Sequence, residues 1–223
     1  MTTSDGTGAE LAERFSAELR RVSRDDHQMA ESTGYIEALL AGRLDLSAYT
    51  ALLVQLSFVY RLLEDAAEGW RDDPVAGPFV QPDLHRSAAL DSDLAFLVGP
   101  DWVRRVEPSA ATERYCDRLV EAAFGDPVRF VAHHYTRYLG DLSGGQVIGA
   151  AARRIYGFDD RGGDAFYRFP DSVAPGAVKV AYRELLDTTD WGPGGRDRMV
   201  DEVLVAYRLN TDLLVELGHG SGA

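Results

Sequence analysis

The chain has 223 residues, of which 45% are hydrophobic and 26% are charged, and this composition suits one globular domain with a sizeable core. The formal net charge is −13, and no long basic block is present, which argues against a nucleic-acid partner. A single cysteine, Cys116, excludes an intrachain disulfide and fits a reducing cytosol.

Helical periodicity dominates the rest of the sequence. Apolar residues three or four apart predict helices over residues 11–29, 33–40, 47–70, 84–97, 110–124, 131–152, 178–186 and 196–217. Ser47 is the expected N-cap of the third helix. Glycine and proline separate the helices, and no strand series or internal repeat is visible.

We therefore predict an all-α fold with one domain, residues 11–217, whose helices surround a cleft. Residues 1–10 lack the basic and apolar segments of a signal peptide and are expected to form a short disordered lead. Residues 218–223, rich in glycine, are expected to form a flexible tail. No apolar run approaches the roughly 20 residues that a membrane helix needs, so we expect no membrane association.

Glycines interrupt the helix predicted over residues 131–152. Each glycine in a helix interior costs roughly 0.5–1 kcal/mol relative to alanine. Because Gly140 and Gly144 are four residues apart, they share one helix face, and Asp141 lies beside them. Either these glycines allow close packing of another helix, or they leave room for a flat ligand against the main chain. The glycines inside this helix are Gly140, Gly144, Gly145 and Gly149.

Residues 136–146, TRYLGDLSGGQ, resemble the distal-helix signature of the haem oxygenases, and the resemblance extends over roughly residues 11–217. It implies a fold in which haem b is sandwiched between a proximal helix and a kinked distal helix. It also implies oxidative cleavage of haem at a meso carbon, expected to be the α carbon, to biliverdin, carbon monoxide and ferrous iron. O2 and external electrons are required, from a donor such as ferredoxin or flavodoxin with its NAD(P)H reductase. We expect no further metal and a cytoplasmic location.

His27 is the candidate iron ligand. Glu31 follows four residues later, on the same helix face, where its carboxylate can hold the second ring nitrogen of the histidine. The Ala30-Glu31 pair resembles the proximal segment of the haem oxygenases, which implies that His27 is the axial ligand. Asp26 precedes the histidine where the family usually has a small or apolar residue, so we expect altered proximal hydrogen bonding with ligation retained.

Three cations are candidates for binding the haem propionates. Arg20 lies two helical turns before His27, and Lys179 and Arg183 are four residues apart on one helix face. Taken singly, each cation is typical of a solvated surface. The resemblance implies that they hold the propionates and fix the rotation of haem about the iron–histidine axis.

The resemblance also assigns residues to the pocket. It implies that Gly140 and Gly144 leave room for oxygen, and that Asp141 anchors ordered water in a network extended by Arg137 and Tyr60. Further haem contacts are expected from Tyr135, Thr136, Gly145, Tyr207 and Asn210. Tyr207 and Leu214 stand where the family commonly has phenylalanine, which leaves the shape of that wall open.

The sequence is also compatible with three other classes of helical protein. A haem carrier would keep the pocket but would not need Asp141 among the glycines. A ferritin-like di-iron bundle needs two Glu-x-x-His motifs, and only Glu216 with His219 is found. A helical interaction domain leaves the cost of the glycines unexplained. The adjacent His133 and His134 diverge by about 100° around a helix, so they cannot both face one metal.

Overall fold

The protein is described by a computed structural model that covers residues 13–221. Its described part contains ten α-helices and no strands: α1 Phe15–Val22, α2 Arg24–Glu31, α3 Gly34–Leu40, α4 Leu46–Trp70, α5 Ser87–Leu97, α6 Ala110–Ala122, α7 Pro127–Gly140, α8 Gln146–Tyr156, α9 Pro175–Thr188 and α10 Gly195–Ser221. A π-helical turn, Asp141–Gly145, joins α7 to α8. The all-α prediction is confirmed, while the proposed lead, residues 1–10, lies outside the described residues.

Two helix boundaries differ from the prediction because side chains bind the main chain locally. The single helix predicted over residues 11–29 is divided at Ser23, whose hydroxyl donates to the Leu19 carbonyl at 2.8 Å, a bond that competes with continuation of the helix. Asp45, not Ser47, caps α4, since its carboxylate accepts from the Ala48 amide at 2.9 Å.

The last helix is longer than predicted. α10 continues to Ser221, so the first residues of the predicted flexible tail are helical. Gly218 is buried, and a Cβ added there would lie 3.8 Å from the Cβ of Tyr35. The absence of a side chain at this position therefore allows α10 to pack on α3 beyond Leu217.

α4 and α10 organise the core. α10 contacts α7, α2, α6 and α3, and α4 contacts α5, α6 and α7. α4 is long and apolar enough to cross a bilayer, with a mean hydropathy of 1.4 in its most apolar window, which corrects the prediction that no such run exists. Because 56% of that window is buried inside the protein, α4 has the character of a core helix.

A π-helical turn interrupts the glycine-rich helix. Asp126 starts α7 by accepting from the Val128 amide at 2.8 Å, and Gly157, with φ of 69°, ends α8. Between them the π-turn changes the helical register, a feature that is common at functional sites. Residues of α7, the π-turn and α8 line one cleft.

Two buried histidines of α7 bind other core residues. The Nε2 atom of His133 lies 2.9 Å from Glu202 Oε1, and the same carboxylate accepts from Arg118 Nε at 2.9 Å. His134 Nδ1 lies 3.0 Å from the Tyr182 hydroxyl. Neither ring lines the cleft, in keeping with the prediction that the pair does not bind one metal.

The buried His134 ring predicts acid sensitivity. Burial lowers the pKa of His134 to about 3 from its ordinary 6.5. Below pH 6.5 the unfolded chain therefore binds a proton that the folded protein does not, and the free energy of unfolding falls as the pH falls towards 3. His134→Phe should reduce the pH slope of this free energy by up to about 1.4 kcal/mol per pH unit, measured by urea unfolding between pH 6.5 and 4.5. His219→Phe, on the exposed end of α10, is the control, and an unchanged slope in His134→Phe would contradict the assignment.

Candidate functional site

A cleft lies between α2 on one side and the segment formed by α7, the π-turn and α8 on the other. Its volume is about 1070 Å³, with its open mouth included. α10 forms a third wall through side chains three and four residues apart, which share one helix face. The residues that α2 and α10 contribute are His27, Ala30, Glu31, Tyr207, Asn210 and Leu214.

His27 is held by its predicted partner. Its Nδ1 atom lies 3.3 Å from Glu31 Oε2, which leaves Nε2 as the ring nitrogen available to a ligand. The Tyr207 ring stands edge-on to the imidazole, with centroids 5.6 Å apart. Among the described residues, Glu31 and not the neighbouring Asp26 is the carboxylate in contact with the His27 ring, so the two side chains predicted from their spacing are brought together.

The glycines of the distal segment have different surroundings. A Cβ added at Gly140 would find no neighbour within 4 Å, and one at Gly144 would meet only Glu31 Oε1 at 3.6 Å. At Gly149, by contrast, it would lie 2.4 Å from the Cβ of Tyr167. Close packing therefore explains Gly149, whereas Gly140 and Gly144 expose main chain to the cleft opposite α2.

Asp141 is the centre of a buried polar network. Its carboxylate accepts a hydrogen bond from the Tyr60 hydroxyl and lies 3.7 Å from Arg137 Nη2. Arg137 donates through Nε to the Tyr60 hydroxyl at 3.2 Å and through Nη1 to the Asn210 side-chain oxygen. Four side chains from α4, α7, the π-turn and α10 are thus fixed against each other. Arg137, Asp141 and Asn210 line the cleft, whereas Tyr60 lies behind them and does not.

The network has an unusual charge balance. Burial raises the pKa of the Asp141 carboxyl, while the charge of Arg137 and the hydrogen bond from Tyr60 act in the opposite direction. Burial lowers the pKa of Arg137, but the oxygens of Tyr60 and Asp141 raise it by more. The guanidinium is therefore a permanent charge beside a carboxyl that is easier to protonate than an exposed one.

The three cations predicted to bind the haem propionates lie outside the cleft lining. Lys179 Nζ donates to the Leu142 carbonyl at 3.3 Å and to Ser143 Oγ at 3.2 Å, both on the π-turn. Arg20 and Arg183 are exposed, and the charges of both act on the phenol of Tyr135. These side chains do not line the cleft, and neither does Tyr135, whereas Thr136 and Gly145 do.

The inner end of the cleft was missed by the sequence analysis. It is apolar and includes Leu52, Leu56, Phe166 and Tyr167. The last two belong to a 3₁₀ turn, Ala165–Tyr167, between the helices predicted over residues 131–152 and 178–186. An aromatic pair between glycines and a proline was the available signal, but spacing does not show which surface such a turn covers.

Known proteins are similar to this chain in sequence and in fold. A family model described as heme oxygenase matches residues 13–216. Heme oxygenase 1 of Synechocystis sp. is 35% identical over 207 residues, which are 93% of this chain and 86% of that protein. Heme oxygenase 1 of Homo sapiens is 34% identical over 209 residues, or 93% of this chain and 73% of the human protein.

The structural similarity is equally extensive. The crystal structure of heme oxygenase-1 from Synechocystis sp. in complex with heme has a TM-score of 0.87 at 35% identity, covering 93% of this chain and 94% of that one. Heme oxygenase from Leptospira interrogans has a TM-score of 0.86 at 30% identity, with coverage of 92% and 100%. Together the fold and the family match define a helical haem-degrading enzyme. The chain belongs to the haem oxygenase family.

The residues present fit a flat iron porphyrin. One wall offers an imidazole with a free ring nitrogen, the opposite wall offers glycine main chain that lines the cleft, and apolar side chains close the inner end. A planar apolar macrocycle with a metal at its centre requires these three features.

A glycine-to-alanine pair separates stability from binding. Gly140→Ala should stabilise the haem-free protein by roughly 0.5–1 kcal/mol, since alanine favours the helix, yet weaken hemin binding because the methyl group enters the cleft. Gly69→Ala, in α4 and with no neighbour within 4 Å of the added Cβ, should stabilise the protein without affecting hemin. Urea unfolding and hemin titration followed at the Soret band measure both effects. Equal hemin affinity in the two variants would contradict the assigned role of Gly140.

Proposed function

We propose that this chain cleaves haem at a meso carbon, the α carbon, to give biliverdin, carbon monoxide and ferrous iron, using O2 and external electrons. The observation that carries the proposal is the position of a buried carboxyl, Asp141, between two uncovered glycines and opposite the imidazole of His27. A haem carrier needs the imidazole and the cleft, but it has no use for a buried carboxyl within a four-residue network.

His27 holds the substrate iron through Nε2 in this proposal. Glu31 accepts the Nδ1 proton, which fixes the tautomer and the orientation of the ring. The bound haem supplies both the metal that activates O2 and the ring that is oxidised. On the other face, the main chain of Gly140 and Gly144 leaves space for a diatomic ligand and restricts the direction in which it can lean.

Asp141 controls protons on the distal side. Its carboxylate is held by Tyr60 and Arg137, and Asn210 holds Arg137 in turn. An ordered water bound to this carboxylate donates a hydrogen bond towards the oxygen-binding face. Because burial raises the pKa of Asp141, the carboxyl can take up and return a proton during turnover.

Three cations outside the cleft lining orient the substrate in this proposal. Lys179 binds the π-turn, and Arg20 and Arg183 are close enough to Tyr135 for their charges to act on its phenol. We assign the propionates to these cations, with the Lys179 ammonium exchanging its present carbonyl partner for a carboxylate. The electron donor is an iron–sulphur or flavin protein such as ferredoxin or flavodoxin with its NAD(P)H reductase, and the site of action is the cytoplasm.

Removal of the iron ligand tests the proximal assignment. His27→Ala should keep the helical fold, since His27 is partly exposed, but should abolish bilin formation from added hemin. Circular dichroism measures the fold, and hemin with ascorbate in air, followed by chromatography of the product, measures turnover. His219→Ala controls for loss of an exposed histidine. Wild-type bilin output from His27→Ala would remove His27 from its role.

Substitution of the distal carboxyl tests the proton assignment. Asp141→Ala should bind hemin with an affinity close to that of the wild type but should lower bilin formation by about 10²-fold or more, the usual contribution of positioned proton transfer. O2 and electrons should still be consumed. Tyr60→Phe, which removes only the hydroxyl that donates to Asp141, should cause a smaller loss. An Asp141→Ala variant that forms biliverdin at the wild-type rate would be incompatible with this role.

A further inference from the structure

The Ala165–Tyr167 turn forms a wall across the inner end of the cleft. Phe166 and Tyr167 are buried there and line the cleft together with Leu52 and Leu56 of α4. A planar ligand held at its centre by one imidazole remains free to rotate about the bond to that imidazole. Contacts at its periphery must stop this rotation, and at the buried edge this wall supplies them.

The wall is anchored from behind by a fully buried carboxylate. Asp93 accepts hydrogen bonds from the main-chain amides of Gly163 at 2.8 Å, Ala165 at 2.9 Å and Phe166 at 2.8 Å. Arg86 Nη1 donates to the Arg168 carbonyl at 2.9 Å on the other side of the turn. These bonds fix the main chain of the wall but do not fix its distance from the distal segment.

Two residues of α8 fix that distance. Gln146 Nε2 donates to the carbonyl of Asp141 at 3.2 Å and to the carbonyl of Tyr167 at 3.0 Å, so one amide group joins the π-turn to the wall. Gly149 lies so close to Tyr167 that an added Cβ would be 2.4 Å from its Cβ and 2.9 Å from its Cγ. At such distances the neighbouring atoms must move, and here they belong to the root of the side chain and not to its flexible end.

We propose that Gln146 and Gly149 are positioning residues that select which edge of haem is oxidised, by seating Tyr167 against the distal segment; this rests on the function proposed above. Neither residue needs to touch the reacting atoms. Gln146 binds the main chain of both Asp141 and Tyr167. The distance between the Asp141 carboxyl and the wall is therefore held constant. The buried edge of the porphyrin therefore meets the distal side in a single rotational position.

The test uses two variants and a matched control. Gly149→Ala should displace Tyr167 from its position against α8. Gln146→Met keeps the side-chain length but removes the N–H donors. Gly69→Ala makes the same glycine change in a helix where the added Cβ has no neighbour within 4 Å. Each protein is loaded with hemin and cyanide, and the hyperfine-shifted haem methyl resonances in its proton NMR spectrum report the in-plane position of the porphyrin without turnover.

Product analysis gives an independent readout. The wild type and Gly69→Ala should show one methyl pattern and one bilin isomer on turnover. Gly149→Ala and Gln146→Met should show a second methyl pattern and a second bilin isomer. They should also turn over more slowly, by on the order of 10-fold, since a misplacement of about 1 Å can cost up to about 10²-fold.

Several outcomes overturn the proposal. One is a single wild-type methyl pattern and a single isomer in both variants, even at a reduced rate, because this is the behaviour of residues that only support the fold. Another is a wild-type protein that already seats hemin in several rotations. If Gly149→Ala fails to fold, Gln146→Met decides alone. A wild type that binds hemin but forms no bilin refutes the proposed function, while the methyl patterns still decide the positioning roles.

Discussion

The site depends on one constraint, which is that two glycines without side chains, Gly140 and Gly144, line the cleft opposite an imidazole. Glycines inside a helix are unfavourable by roughly 0.5–1 kcal/mol each, and a π-turn adds a local disturbance of the helical hydrogen bonds. The surrounding fold offsets this cost. α7 packs along α10, and α8 contacts α3 and the wall turn, so the distal segment is held from both sides while one face stays open.

α10 links the two sides of the cleft. Its core face carries Met199, Val203 and Ala206, all fully buried, and its cleft face carries Tyr207 and Asn210. Since the same helix contacts both α2 and α7, it sets the spacing between the imidazole and the glycines. The extension of α10 to Ser221 strengthens this link, because it lengthens the contact with α3, which follows the proximal helix.

The sequence was informative where the chemistry is local. A carboxylate four residues after His27 and two glycines four residues apart follow directly from helical geometry, and the structure brings both pairs to the same cleft. Features that depend on distant partners were not predictable. The three amides bound by Asp93 come from residues about 70 positions further along the chain. Helical spacing placed Lys179 and Arg183 on one face, but it did not show that neither side chain lines the cleft.

Asn210 binds Arg137 through a neutral amide. Arg137 has donors directed at three groups, of which only Asp141 can be ionised at neutral pH. An amide at position 210 binds the guanidinium without adding a negative charge. A second carboxylate there would share the positive charge of Arg137 and, as a like charge nearby, would raise the pKa of Asp141 further. With asparagine, the only negative charge that this guanidinium compensates is the one at the cleft wall, and the carboxyl stays balanced between burial, which favours its protonated form, and Arg137, which favours its ionised form. A group that must both bind water and exchange a proton requires that balance.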